Sequence, residues 1–190
     1  MKFILSLISF LFFIGNVAAA SEPLYSQFVE QVYLTEEAAL KIVFPDSNQI
    51  KKEEHIFTVQ EKKKIESRLG WTLSVSSIVI HHGFKGSEPQ GYAVVMNEMG
   101  KFKPITFMVK VSEQGKVERI EVLTYRETVG AEVRRQRFSR QFQGKSARDP
   151  MRINRDIINL TGATLSVQAM TAGVKKALVI LDELYFNLSH

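Results

Sequence analysis

The chain has 190 residues, 45% of them hydrophobic and 24% charged, with a formal net charge of +5. That length fits one domain with a substantial core, and the composition is that of an ordinary folded protein. Cysteine is absent, which excludes disulfides, thiolate metal sites, iron–sulfur clusters, c-type haem attachment and lipidation through an N-terminal cysteine.

Lys2 gives a positive start, and residues 3–14 form an apolar run broken only by Ser6 and Ser9. Gly15-Asn16 interrupts it, and Ala18-Ala19-Ala20 offers a small-residue cleavage site. This is the layout of a secretory signal peptide over residues 1–20. The run is shorter than the roughly 20 apolar residues a spanning helix needs, so cleavage near Ala20 and a periplasmic or otherwise exported location are expected. Of the 25 basic residues, those other than Lys2 outnumber the 20 acidic ones modestly, and this excess is concentrated over residues 134–155.

Residues 22–34 read as a short amphipathic helix with Phe28, Val29, Val32 and Tyr33 available for burial. Thr35-Glu36-Glu37 opens a second helix, acidic in its first turn, that stops before Pro45. Residues 45–48 are a loop. Thr58 and Glu61 form a capping box, starting a lysine-rich helix that ends near Gly70. Residues 21–70 therefore read as a helical N-terminal region ahead of a domain over 71–190.

At Trp71, assigned to the core, the pattern changes to β. Residues 72–80, 92–96, 105–111 and 117–125 read as strands. His81-His82-Gly83 with residues 86–89, then Met99-Gly100-Lys101, and then residues 112–116 provide the turns. Hairpin spacing implies an antiparallel sheet. Adjacent His81 and His82 would point to opposite faces of a strand, and no third ligand accompanies them, so no metal is expected. Residues 131–142 return to helix, with Phe138 and Phe142 on one face, and Gly144 ends it. A basic loop over 145–155 leads through the short apolar stretch 156–160 to Thr161-Gly162-Ala163-Thr164-Leu165-Ser166. The last helix covers about 166–184 and buries Val167, Met170, Val174, Leu178 and Leu181 against the sheet. The fold class is thus α+β: an antiparallel sheet of hairpin-connected strands packed against helices, with a helical lead-in. Asn159-Leu160-Thr161 and Asn187-Leu188-Ser189 match glycosylation sequons, which matter only in a eukaryotic secretory pathway.

Residues 161–166 place hydroxyls and a glycine at a helix N-terminus, where unpaired N–H groups and a partial positive charge suit a phosphate. Such a hydroxyl residue is otherwise simply an N-cap. Two upstream elements accompany it in order: Arg126-Glu127-Thr128-Val129-Gly130, then Gln141-Phe142-Gln143-Gly144-Lys145. Together they resemble the FMN-binding domain family, in particular the flavin-bearing subunits of Rnf and sodium-pumping NADH–quinone oxidoreductase complexes. There a Glu-Thr-x-Gly element and a Gln-Phe-x-Gly-Lys-like element precede a Ser/Thr-Gly-Ala-Thr site. Gly91-Tyr92 and Met99-Gly100-Lys101-Phe102 have counterparts in small single-domain members, and the resemblance covers roughly residues 90–182. The flavinylation pattern has an acid three positions before its first hydroxyl, where this chain has Ile158. The proline beside the Glu-Thr pair is also absent.

The resemblance implies FMN esterified through its phosphate to Thr164, installed by a magnesium-dependent flavin transferase with FAD as donor. It implies Thr161, Gly162, Ala163, Leu165 and Ser166 around the attachment point, and Glu127, Thr128 and Gly130 lining the ring pocket. Lys145, Arg152 or Arg155 would neutralise the phosphodiester. The leading expectation is a periplasmic electron carrier or redox subunit rather than a stand-alone enzyme, working with a cytochrome or membrane reductase. The alternatives are a non-covalent FMN-dependent reductase and a non-redox binding or assembly module that keeps the fold. The basic cluster around Arg134, Arg135, Arg137 and Arg140 reads first as a solvated helix face. Its functional reading is docking to an acidic partner or peripheral contact with anionic lipid; nucleic acid is not expected.

Overall fold

The computed structural model describes residues 30–187. The expected signal peptide, the rest of the chain up to residue 29 and the end of the second sequon lie outside them.

Six strands form one antiparallel sheet in the order β1-β6-β5-β4-β3-β2. They are β1 (Gln31–Val32), β2 (Gln49–Ile56), β3 (Ser77–Lys85), β4 (Glu88–Met99), β5 (Pro104–Val111) and β6 (Val117–Tyr125). The central strands β4 and β5 bury both faces, and their apolar residues follow the period of two. Val94, Met96, Phe107 and Val109 face one layer, while Ala93 and Met108 face the other. The larger layer holds α2 (Val59–Leu69) and α4 (Thr164–Leu181), and the smaller is α1 (Glu36–Val43). Val167, Met170, Val174, Leu178 and Leu181 are all buried, as their spacing predicts.

Local signals set the helix ends. Thr35 caps α1 by accepting from the Ala38 N–H, and the Thr58–Glu61 capping box is fully formed. Gly70 stops α2 in the left-handed region, at φ +81°.

Four expectations need correction. The lead-in is not purely helical: residues 31–32 pair with β6, and β2 forms the far edge of the sheet. The charged sequence Lys51-Lys52-Glu53-Glu54 hid β2, because an exposed edge strand shows no apolar alternation and is protected from further pairing by its charges. His81-His82-Gly83 lies inside β3, and the turn falls at Gly86-Ser87. Residues 131–142 are not one helix. They run as a 3₁₀ turn (Ala131–Arg134), an extended Arg135, a single helical turn α3 (Gln136–Ser139) and a second 3₁₀ turn (Arg140–Phe142). Phe138 and Phe142 still meet edge to face at 5.4 Å, so the apolar spacing was read correctly although the backbone was not. Trp71 is 44% exposed rather than core.

The two histidines do face opposite sides. His82 contacts Glu53 at 2.8 Å, and buried His81 contacts Glu36 at 3.1 Å. Burial lowers the His81 pKa from the ordinary 6.5, with Glu36 opposing and Lys52 adding to the shift. The unfolded chain therefore takes up a proton as pH falls below about 6.5 while the native chain resists it. Stability held above that pH is lost as pH falls. Urea unfolding at pH 7.5 and pH 5.5 is expected to give the lower midpoint at pH 5.5, with the difference reduced in His81→Asn.

One irregularity in β6 matters for the site. The register passes from Phe107↔Val122 to Thr106↔Thr124, leaving Leu123 as an extra residue. A bulge of this kind reverses the side-chain alternation. Tyr125 therefore lands on the α4 face together with Ile120 and Val122.

Candidate functional site

The chain enters α4 through a tight turn. The Ala163 N–H donates to the Leu160 carbonyl at 2.9 Å, and Gly162, third in that turn, has φ +81°. This is the type II arrangement, which calls for glycine at that place. Ala163 takes the N-cap position and no side chain caps the helix. Thr161, expected as a cap or contact, is exposed and does not cap. The first intrahelical bond runs from the Val167 N–H to Ala163, so the N–H groups of Thr164, Leu165 and Ser166 have no acceptor within the helix. Thr164 is exposed as the first helical residue, and its hydroxyl accepts from Asn159 Nδ2 at 3.2 Å.

Ser166, two residues on, points inward. Its Oγ lies 2.9 Å from the Tyr125 hydroxyl in a buried contact. The Tyr125 hydroxyl donates to the Val129 carbonyl, so Ser166 must be the donor to Tyr125. Burial raises the Tyr125 pKa despite the Ser166 contact, which keeps the phenol protonated for this role. Gly130 (φ +92°) packs directly on the pair. The Glu-Thr-x-Gly element is thus fastened onto the N-terminus of α4.

Glu127 serves a different purpose from the expected ring contact. It is 6% exposed, and its Oε1 accepts the Phe102 and Lys103 N–H groups at 2.6 and 3.0 Å. The carboxylate thereby fixes the β4–β5 turn beside the 127–130 segment. Glu127→Ala is expected to cost about 2 kcal/mol, since both charge-assisted bonds are lost. Glu127→Gln, which keeps an acceptor, should cost less by urea denaturation.

The Gln141 to Lys145 element is divided. Gln141 Oε1 accepts the Ile158 N–H at 2.7 Å and so ties this element to the strip before Thr164. Lys145 is not brought to the site. Its carbonyl accepts from Val117 at the start of β6, whereas Ser166 meets Tyr125 at the other end. Those ends are roughly 25 Å apart at strand rise. Arg152 is occupied by Asp156 at 2.9 Å, which holds the Asp156 carboxyl down at about 2.

Two clefts lie beside the turn that precedes Thr164. One, of about 530 Å³, is lined by Arg135, Arg137, Phe138, Gln141 and residues 158–161. The other, of about 410 Å³, is lined by residues 128–132 with Thr161 and Gly162. Both include Glu132 and Thr161, so they meet along that ridge. Val129, Ile158 and Leu165, on the segments that meet at the N-terminus of α4, are large apolar side chains left 61%, 72% and 45% exposed. Sequence reading missed Asn159, Tyr125, Arg135 and Arg137 as site residues. Asn159 stood out only as a sequon, and the rest depend on the bulge in β6 and the break at Arg135.

An exposed hydroxyl, an uncapped helix end and an apolar rim beside arginines together fit a flavin phosphate and ring. Among the described residues no group of three or more His, Cys, Asp and Glu side chains is placed to hold a metal ion. Comparison with known proteins points to the same ligand. Residues 100–179 match the model of the FMN-binding domain. The chain is also 33% identical over 101 residues to a subunit of the proton-translocating ferredoxin:NAD(+) oxidoreductase complex of Clostridium ljungdahlii. That match covers 49% of this chain and 54% of the relative, so the chain spans about half the length of the curated protein it matches.

Proposed function

We propose, from the match of residues 100–179 to the model of the FMN-binding domain, that this protein is an exported electron-transfer flavoprotein carrying FMN as a phosphoester on Thr164. The observation that carries the reading is the placement of Thr164. Its hydroxyl is exposed at the uncapped N-terminus of α4 and is held by Asn159, which lines one of the two clefts beside the preceding turn.

A threonine hydroxyl does not attack a pyrophosphate unaided, so attachment requires a flavin transferase acting on FAD. Thr164 Oγ bonds to the flavin-side phosphorus, the pyrophosphate bond breaks, AMP leaves, and the hydroxyl proton passes to a base of the transferase. The resulting phosphodiester anion is stabilised by the free N–H groups and the positive end of α4. Flavin supplies one- or two-electron exchange. The chain supplies the anchor, the apolar rim and the surroundings that set the potential.

The relative is part of a ferredoxin:NAD(+) oxidoreductase complex. By analogy, this chain exchanges electrons with a membrane reductase or a cytochrome. The signal-peptide pattern of residues 1–20 supports a periplasmic site of action. Intact-mass analysis after co-expression with an active flavin transferase tests the attachment. An added flavin-monophosphoryl group supports it, and an unmodified mass refutes the covalent form.

A further inference from the structure

We propose that the flavin ring lies in the 530 Å³ cleft beneath Arg135 and Arg137, and that these two guanidiniums raise its reduction potential. This rests on FMN attachment at Thr164 and assigns the ring to a different cleft from the one bordered by Thr128 and Gly130.

The break in the 131–142 segment creates the site. In a continuous helix, residues 135 and 137 would lie about 200° apart around the axis. Arg135 instead adopts an extended conformation (φ −65°, ψ 134°) between two helical turns, and both arginines line the same cleft. Among the described residues neither guanidinium has an ion-pair or hydrogen-bond partner. Neighbouring arginines differ: Arg134 stacks on Tyr33, Arg140 bonds Gln136, and Arg152 pairs with Asp156.

The cleft also connects to the anchor. Asn159 lines it and holds the Thr164 hydroxyl. Phe138, Leu160 and Ile158 give it apolar surface for a ring, and its volume falls within the range of small-ligand sites. The second cleft has no cation in its lining. Glu132 is the one carboxylate in the lining, set against two guanidiniums, and Ile158 stands where the flavinylation pattern places a further acid.

Two-electron reduction of the ring at neutral pH takes up two electrons and one proton, leaving one negative charge on the reduced ring. A cation beside the ring therefore favours the reduced form over the neutral oxidised form, and its removal lowers the potential.

The test uses the full chain flavinylated by co-expression with the transferase and titrated with dithionite. The Arg135→Gln, Arg137→Gln double variant is expected to shift the reduced-to-oxidised equilibrium about tenfold toward the oxidised ring, about 30 mV for a two-electron couple. Ile158→Glu, which supplies a carboxylate beside both arginines, should shift it in the same direction. Arg148→Gln, a charge removal in the loop after Gly144, should not. If the double variant moves no further than Arg148→Gln while flavin is present on Thr164, the cleft assignment fails alone. If wild-type protein carries no flavin on Thr164, the attachment reading fails with it.

Discussion

Thr164→Ala is expected to abolish covalent flavin loading completely while leaving the fold intact. The two outcomes separate because Thr164 bears little structural load. It is exposed, it does not cap α4, and its single side-chain contact is the Asn159 bond at the surface. Substitutions at such positions usually change stability by within about 0.5 kcal/mol. The chemistry, in contrast, requires an oxygen at that atom. Thr164→Ser should restore the adduct, because the hydroxyl returns without the methyl. Thr161→Ala should leave loading unchanged, since Thr161 is exposed in the turn before α4 and its side chain holds no backbone group. Asn159→Ala should slow loading without preventing it, because Asn159 orients the hydroxyl but does not react. Intact mass after fixed times with the transferase, read beside thermal unfolding, distinguishes these cases. Loading of Thr164→Ala at the wild-type extent would place the attachment elsewhere.

Period-two patterning placed β5 within one residue and β6 at its observed ends, and found only the middle of β4. Period-3.6 patterning placed the buried face of α4. These signals are local, because the side-chain period of each element records which of its faces meets which layer of the core. The misses have physical causes too. β2 is an edge strand with charged residues through its middle, so burial left no pattern on it. The region after Gly130 keeps helical apolar spacing at Phe138 and Phe142, but Arg135 leaves the helical conformation, and nothing in residue type announces that break. Within the site, motif order identified the α4 N-terminus and the segment that covers it. It did not separate Glu127, which braces a turn, from residues bordering a cleft. Nor did it show that Lys145 belongs to the far end of β6. Such distinctions depend on long-range contacts that only the folded chain brings together.

Gly130→Ala tests the junction that makes a site of these motifs. Two costs combine there. Gly130 sits at φ +92°, where a side chain adds about 1–2 kcal/mol of strain. An added Cβ would also lie 2.6 Å from Tyr125 Oη and 2.7 Å from Ser166 Oγ. Tyr125 is fully buried and bonded to Val129, so it cannot swing aside, and overpacking of this kind costs about 1–3 kcal/mol more. The expected total is about 2–5 kcal/mol by urea denaturation, with reduced flavin loading because the 127–130 segment is pushed off α4. Gly162→Ala is the internal comparison. It shares the left-handed conformation, at φ +81°, but nothing lies within 4 Å of the added carbon, so only the strain remains and the loss should be about 1–2 kcal/mol. Ser166→Ala should relieve part of the clash in the Gly130→Ala background, making the double variant less unstable than the sum of the singles. If Gly130→Ala instead proves no worse than Gly162→Ala, the close packing of Gly130 on Tyr125 and Ser166 does not hold the site together, and the backbone turn alone accounts for the glycine.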